Sequence, residues 1–202
     1  MSQRTLVVVT AGLNQPSATR LLADQLAGAS RTALAEPGTS VETTVVEVRE
    51  LAHDVVNHTL TGFPSPALTP AIEAVTSADA LIAVTPVFNA SYSGLFKSFF
   101  DVLPEGALAG QPVLIGATGG TARHSLALEH AMRPLFTYLR AVVMPTSVFA
   151  APEDWAGAAA EGALRTRIAR AAAELAEAVR VRGPKQSPDP FANPPNFEDL
   201  LP

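Results

Sequence analysis

Thr85-Pro86-Val87-Phe88-Asn89-Ala90-Ser91-Tyr92-Ser93-Gly94 joins an apolar segment to an amphipathic one through a polar loop, and this junction decides the fold. Upstream, residues 79–85 are almost wholly apolar, as a strand covered on both faces of a parallel sheet must be. Downstream, residues 94–103 carry Leu95, Phe96, Phe99 and Leu103 at helical spacing. Loops at the carboxyl ends of such strands form the ligand crevice of an open α/β sheet.

The same alternation continues in both directions. Residues 4–10 read as a strand, 17–34 as a helix carrying Leu21, Leu22 and Leu26, and 41–48, rich in valine and threonine, as a second strand. Pro64, Pro66 and Pro70 break the passage before a short helix over 71–77. Beyond the junction, 111–118 is a fourth strand, Gly119-Gly120 a turn, 124–139 a helix expected to kink at Pro134, and 141–149 a fifth strand. Residues 156–182 repeat Leu164, Ile168, Ala171, Leu175 and Val179 as an amphipathic closing helix that ends at Gly183-Pro184. Right-handed crossovers then favour an α/β, flavodoxin-like three-layer sandwich: a five-stranded parallel sheet of order 2-1-3-4-5 with helices on both faces. Residues 1–183 form one domain and 184–202 a proline-rich tail, whose Phe191, Phe197, Leu200 and Leu201 are expected to pack on another subunit or beside the site.

Composition removes several functions. The 202 residues suffice for one buried core, and no apolar run approaches the roughly 18 residues of a membrane-spanning helix, so a cytoplasmic protein with no membrane partner is expected. Without cysteine there is no thiol nucleophile or thiolate metal site, and His53, His58, His124 and His130 show no ligand-like pairing, so no metal is expected. A net charge of -5 without a basic cluster argues against a nucleic-acid partner.

Three loops fall at the switch point of a 2-1-3-4-5 sheet. In the first, Pro16 introduces a helix that Ser17 is placed to cap, and Leu13 lies just before. The helix start, with the Ser17 and Thr19 hydroxyls, suits a phosphate; it equally suits an ordinary N-cap. The loop lacks the Gly-Lys-Ser/Thr ending of a triphosphate loop and has one glycine where the dinucleotide fingerprint needs three. Arg20 reads as a solvated helix-face residue. In the second, Pro86, Val87, Phe88, Asn89 and Ser91 combine a flat apolar group with amide and hydroxyl donors suited to a heteroaromatic ring; core packing of Phe88 and local backbone bonding by Asn89 are the plainer readings. In the third, Thr118-Gly119-Gly120-Thr121 permits close backbone approach to a ring edge, or is simply a tight strand-to-helix turn. No Gly-x-Ser-x-Gly elbow supports an α/β hydrolase.

Together the loops resemble those of the NADPH-dependent FMN reductase family over roughly residues 5–155. The resemblance is strongest in Thr-Pro-Val-Phe-Asn-Ala-Ser-Tyr-Ser-Gly-Leu-Phe-Lys, where the family has a Pro-x-Tyr/Phe-Asn-x-Ser loop and a Leu-Lys helix start that Lys97 fits. Residues 119–130 and 139–145 are similar to the actinobacterial subgroup associated with luciferase-like monooxygenases. The resemblance implies that residues 1–183 are an FMN-binding domain in which Ser17 and Thr19 hold the phosphate. It further implies that Pro86, Val87, Phe88, Asn89 and Ser91 line the ribityl and isoalloxazine, that Gly119, Gly120 and Thr121 sit at the pyrimidine end, and that Thr118 also belongs to the cofactor site. The first loop departs from the family's Gly-Ser opening, which leaves Leu13 as a backbone contact on weaker ground than the hydroxyls.

What the resemblance implies for function is an NAD(P)H:FMN oxidoreductase. Hydride passes from NADPH or NADH to flavin N5, and reduced FMN goes to a partner monooxygenase. The flavin carries the chemistry, so no catalytic side chain is required. A homodimer or homotetramer is implied as well. An FMN-containing quinone or azo reductase, or a flavodoxin-like electron-transfer module, would share these loops.

Overall fold

The computed structural model describes residues 2–35 and 39–183; the expectations for the tail at 184–202 lie outside the described residues. Strand β1 (Ser2–Thr10) leads to helix α1 (Ala18–Leu34) and strand β2 (Thr39–Glu47). A 3-10 turn (Val48–Leu51) precedes helices α2 (Ala52–Thr61) and α3 (Thr69–Ser77). Next come β3 (Ala80–Phe88), the two-residue β4 (Ser91–Tyr92), α4 (Gly94–Asp101) and β5 (Pro112–Thr118). A 3-10 turn (Ala122–His124) and a π-helical segment (Leu128–Met132) enter α5 (Arg133–Tyr138). The described chain closes with β6 (Val142–Val143), β7 (Val148–Ala150), a 3-10 turn (Pro152–Trp155) and α6 (Ala158–Arg182).

The sheet runs β2-β1-β3-β5-β6, every neighbour parallel, and β7 also pairs with β5. Setting aside β4, which pairs antiparallel with β3, this is the expected 2-1-3-4-5 order. Alternation along each strand feeds two cores. Leu6 and Val8 of β1, Ile82 and Val84 of β3 and Leu114 of β5 pack under α1 and α6 with Leu22, Leu26, Leu164, Ile168 and Leu175. Val7, Val9, Leu81, Ala83, Val113 and Ile115 face the other way, onto Val55 of α2, Ile72 and Val75 of α3, Phe96, Phe99 and Phe100 of α4, and Phe136 of α5.

Two expected elements are interrupted. The helix expected over 124–139 begins as a 3-10 turn over 122–124 and is then continuous over 127–138, with Pro134 inside it just after the hydrogen bonding changes from π to α. The fifth strand divides at Pro145, which has no N–H for the ladder, so residues 144–147 bulge between β6 and β7. Side chains satisfy the bulge. Arg133 donates to the Met144 and Pro145 carbonyls at 3.0 and 3.1 Å, and Glu174 accepts from the Thr146 amide at 2.7 Å and its hydroxyl at 2.6 Å.

Arg133 is itself oriented by Glu129, with hydrogen bonds of 2.5 and 3.0 Å, and Glu129 also accepts from Ser147 at 2.8 Å. The Arg133 hydrogen bond holds the Glu129 carboxyl below its ordinary pKa, against the opposing effect of desolvation. A carboxyl lowered in the folded state contributes stability above its unfolded pKa and loses it as pH falls through the folded one. Glu129→Gln is therefore expected to be less stable than the parent at neutral pH, with the difference disappearing as acidification protonates Glu129. Urea melts of both proteins at neutral and acid pH check this.

Candidate flavin cleft

At the carboxyl edge of the sheet, the loops after β1, β3, β5 and β7 enclose a cleft of about 400 Å³. Leu13, Ser17, Thr19, Pro86, Val87, Phe88, Thr118, Gly119 and Gly120, nine of the residues singled out in the three loops, line it. Asn89, Ser91 and Thr121 are not in its lining. Asn89 sits at a hairpin tip, Ser91 begins β4, and Thr121 caps the turn that follows, its hydroxyl accepting from the Arg123 amide at 3.3 Å. The lining also contains Asn14, Ala18, Ala150, Ala151, Pro152 and Trp155, which sequence reasoning passed over.

The first loop is built around a helix start. Ser17 has extended backbone and its hydroxyl accepts from the Arg20 amide at 3.1 Å, an N-cap. First-turn amides have no intrahelical acceptor, so those of Ala18 and Thr19, both in the lining, remain donors, and no acidic residue opposes an anion in that turn. Gly12 makes this tight approach possible: a Cβ there would stand 2.1 Å from Ser17 Oγ. Arg20 pairs instead with Asp24 at 2.8 Å and with Glu47, and the Asp24 hydrogen bond chiefly raises its pKa. The loop's outer edge is held by Arg49, which donates to the Leu13 carbonyl at 3.1 Å.

At the floor, the buried hydroxyls of Thr19 and Thr118 meet at 2.7 Å, tying the first loop to the end of β5. One donates to the other, so the second keeps its own hydrogen to give to a ligand. Thr10 Oγ1, two residues before Gly12, is buried without a hydrogen-bond partner among the described residues.

The second loop is a two-residue hairpin. β3 runs through Pro86, Val87 and Phe88; Val87 pairs with Tyr92 and Phe88 with Ser91. Asn89 and Ala90 turn the chain at φ 49° and 67°, the left-handed pair that the strand twist demands. The base of the hairpin is latched internally. The buried Thr85 hydroxyl accepts from the Ser93 amide at 3.0 Å and donates to the Pro86 carbonyl at 3.0 Å, and Ser93 caps α4 by accepting from the Phe96 amide at 3.2 Å. Thr85→Val keeps the shape but leaves a buried N–H unsatisfied, so a stability loss of about 1–3 kcal/mol is expected in a denaturant melt.

The third loop is clamped to its neighbour. The Gly119 amide donates to the Ala150 carbonyl at 3.2 Å, which removes it from the donors a ring edge could use, and the Ala122 amide donates to Glu153 at 3.1 Å. A Cβ on Gly119 would lie 2.9 Å from Phe149 Cζ, so this close approach needs glycine. The Gly120 position has open space around it.

This donor set fits a flavin monophosphate. A helix start without acidic neighbours serves a phosphate, a hydroxyl pair serves a polyol, and an apolar hairpin wall with an open glycine turn serves a flat ring. A family model described as NADPH-dependent FMN reductase matches residues 4–156. The chain is 37% identical over 153 residues to an FMN reductase (NADPH) of Pseudomonas aeruginosa, covering 74% of this chain and 78% of that protein. It is 35% identical over 172 residues to an NADH-dependent FMN reductase of Pseudomonas putida, covering 85% and 89%. The crystal structure of an oxidoreductase from Corynebacterium diphtheriae superposes with a TM-score of 0.86 at 45% identity, covering 90% of this chain and 99% of that one.

Proposed function

The chain belongs to the NADPH-dependent FMN reductase family, and on that premise we propose that its cleft binds FMN with the phosphate at the start of α1 and the ring along the hairpin. The observation that carries this reading is the convergence of Ser17, the Thr19–Thr118 hydroxyl pair, Pro86, Val87, Phe88 and Gly119–Gly120 on one cleft. A bound FMN would supply the redox chemistry, taking up hydride from a nicotinamide dinucleotide.

The protein's part is binding and orientation. The Ala18 and Thr19 amides, with the Ser17 hydroxyl, hold the phosphate, each hydrogen bond to a charged group being worth about 1.5–3 kcal/mol. Pro86, Val87 and Phe88 support one side of the ring. The Gly120 turn lets backbone approach the pyrimidine edge and supplies the donor that Gly119 does not. Phe88 and Leu13, 46% and 41% exposed at the rim, leave apolar surface for the nicotinamide or for a second subunit of a homodimer or homotetramer. Delivery of reduced FMN to a partner monooxygenase rests on the likeness of residues 119–130 and 139–145 to the subgroup associated with luciferase-like monooxygenases.

Oxidation of NADPH and of NADH, followed in air while FMN is titrated in, tests the activity, with riboflavin as the control that lacks phosphate. A rate that saturates with FMN is expected. Bound FMN that neither nicotinamide reduces would make the protein an electron carrier instead.

A further inference from the structure

We propose that Trp155, the sole tryptophan of the chain, is a flavin-contact residue, and that the turn carrying it is a fourth, rigid wall of the cofactor cleft. The inference rests on the flavin reading and adds a residue that the three-loop description lacks. Trp155 ends the 3-10 turn Pro152–Trp155 after β7, a strand that lies beside β5, so topology sets this turn next to Gly119 and Gly120. Its side chain is half-buried, packed on the α1–α6 core on one side and lining the cleft on the other.

The turn is fixed at each step. Asp154 accepts from the Ala151 amide at 2.9 Å and pairs with Arg167 of α6 at 2.6 Å. Glu153 accepts from the Ala122 amide at 3.1 Å, so the turn and the glycine loop are joined by a charge-assisted hydrogen bond as well as by the Gly119–Ala150 backbone bond. A large planar side chain held on such a support offers contact area at little entropic cost when a flat or extended ligand enters.

The test compares FMN dissociation constants, from titration of flavin fluorescence, for the parent, Trp155→Phe, Trp155→Ala and Leu164→Ala. Leu164 is buried in the same α1–α6 core without lining the cleft, so its variant reports lost packing alone. Trp155→Ala is expected to weaken FMN binding about tenfold and Trp155→Phe by about threefold or less. Leu164→Ala is expected to lower the melting temperature with FMN affinity unchanged. A Trp155→Ala protein that melts earlier but binds FMN as the parent does would overturn the inference and leave the flavin cleft standing. A parent that binds no FMN would instead overturn the cleft itself.

Discussion

Gly12→Ala is expected to lower FMN affinity by about two orders of magnitude while changing riboflavin affinity far less. The new Cβ would stand 2.1 Å from Ser17 Oγ, 3.1 Å from Ser17 Cβ and 3.2 Å from Thr19 Cβ, and no rotation of the alanine relieves the contacts because Cβ is fixed by the backbone. The Ser17 side chain must turn away, surrendering the Arg20 amide, or the loop must lift off the helix start. The first outcome costs about 0.5–2 kcal/mol of stability through the lost cap. On the proposed placement of the phosphate, either would remove one or two hydrogen bonds to it, each worth about 1.5–3 kcal/mol. Ser17→Ala, which deletes the hydroxyl without crowding, is expected to have the smaller effect, about tenfold. Fluorescence titration with both flavins measures these changes, and an unchanged FMN affinity in Gly12→Ala would remove the phosphate from the first loop.

Phe96→Ala is expected to destabilise the protein by about 3–5 kcal/mol, a large fraction of the roughly 5–15 kcal/mol that holds a domain together. The ring is fully buried, and its centroid lies 4.8 Å from that of Phe100, 6.2 Å from Phe136 and 6.0 Å from Tyr92. Tyr92 belongs to β4, so the cavity opens directly beneath the hairpin that supplies Pro86, Val87 and Phe88 to the cleft. Urea denaturation should show a lower midpoint with an unchanged slope. A loss below about 1 kcal/mol would mean that the core closes over the gap and that Phe96 does not support the hairpin.

The features legible in the sequence are those with a strong local signal. The apolar run within residues 79–85 reads as a doubly covered strand, and Pro16-Ser17 before an amphipathic run marks a helix start, as β3 and α1 show. Helix α2 carries no such signal: of its ten residues only Val55 is buried, so no apolar face shows. The hairpin hides for a similar reason. Its left-handed pair is Asn89-Ala90, where glycine in the second place would have announced the turn. Trp155 escapes because Gly119 and Gly120, with which it lines the cleft, lie more than thirty residues away and are brought to it by β7 pairing with β5 and by the Glu153–Ala122 hydrogen bond. The same pairing commits the Gly119 amide to Ala150, a constraint that a Gly-Gly dipeptide cannot reveal.

Side-by-side calorimetric titration of the unmodified protein with FMN and with riboflavin tests most directly whether these loops form one flavin cleft with its phosphate at α1. Saturable binding of one FMN per chain is predicted, with riboflavin weaker by at least about tenfold, the value of one hydrogen bond to a charged phosphate. Equal affinity for the two flavins, or no binding of either, would contradict the account.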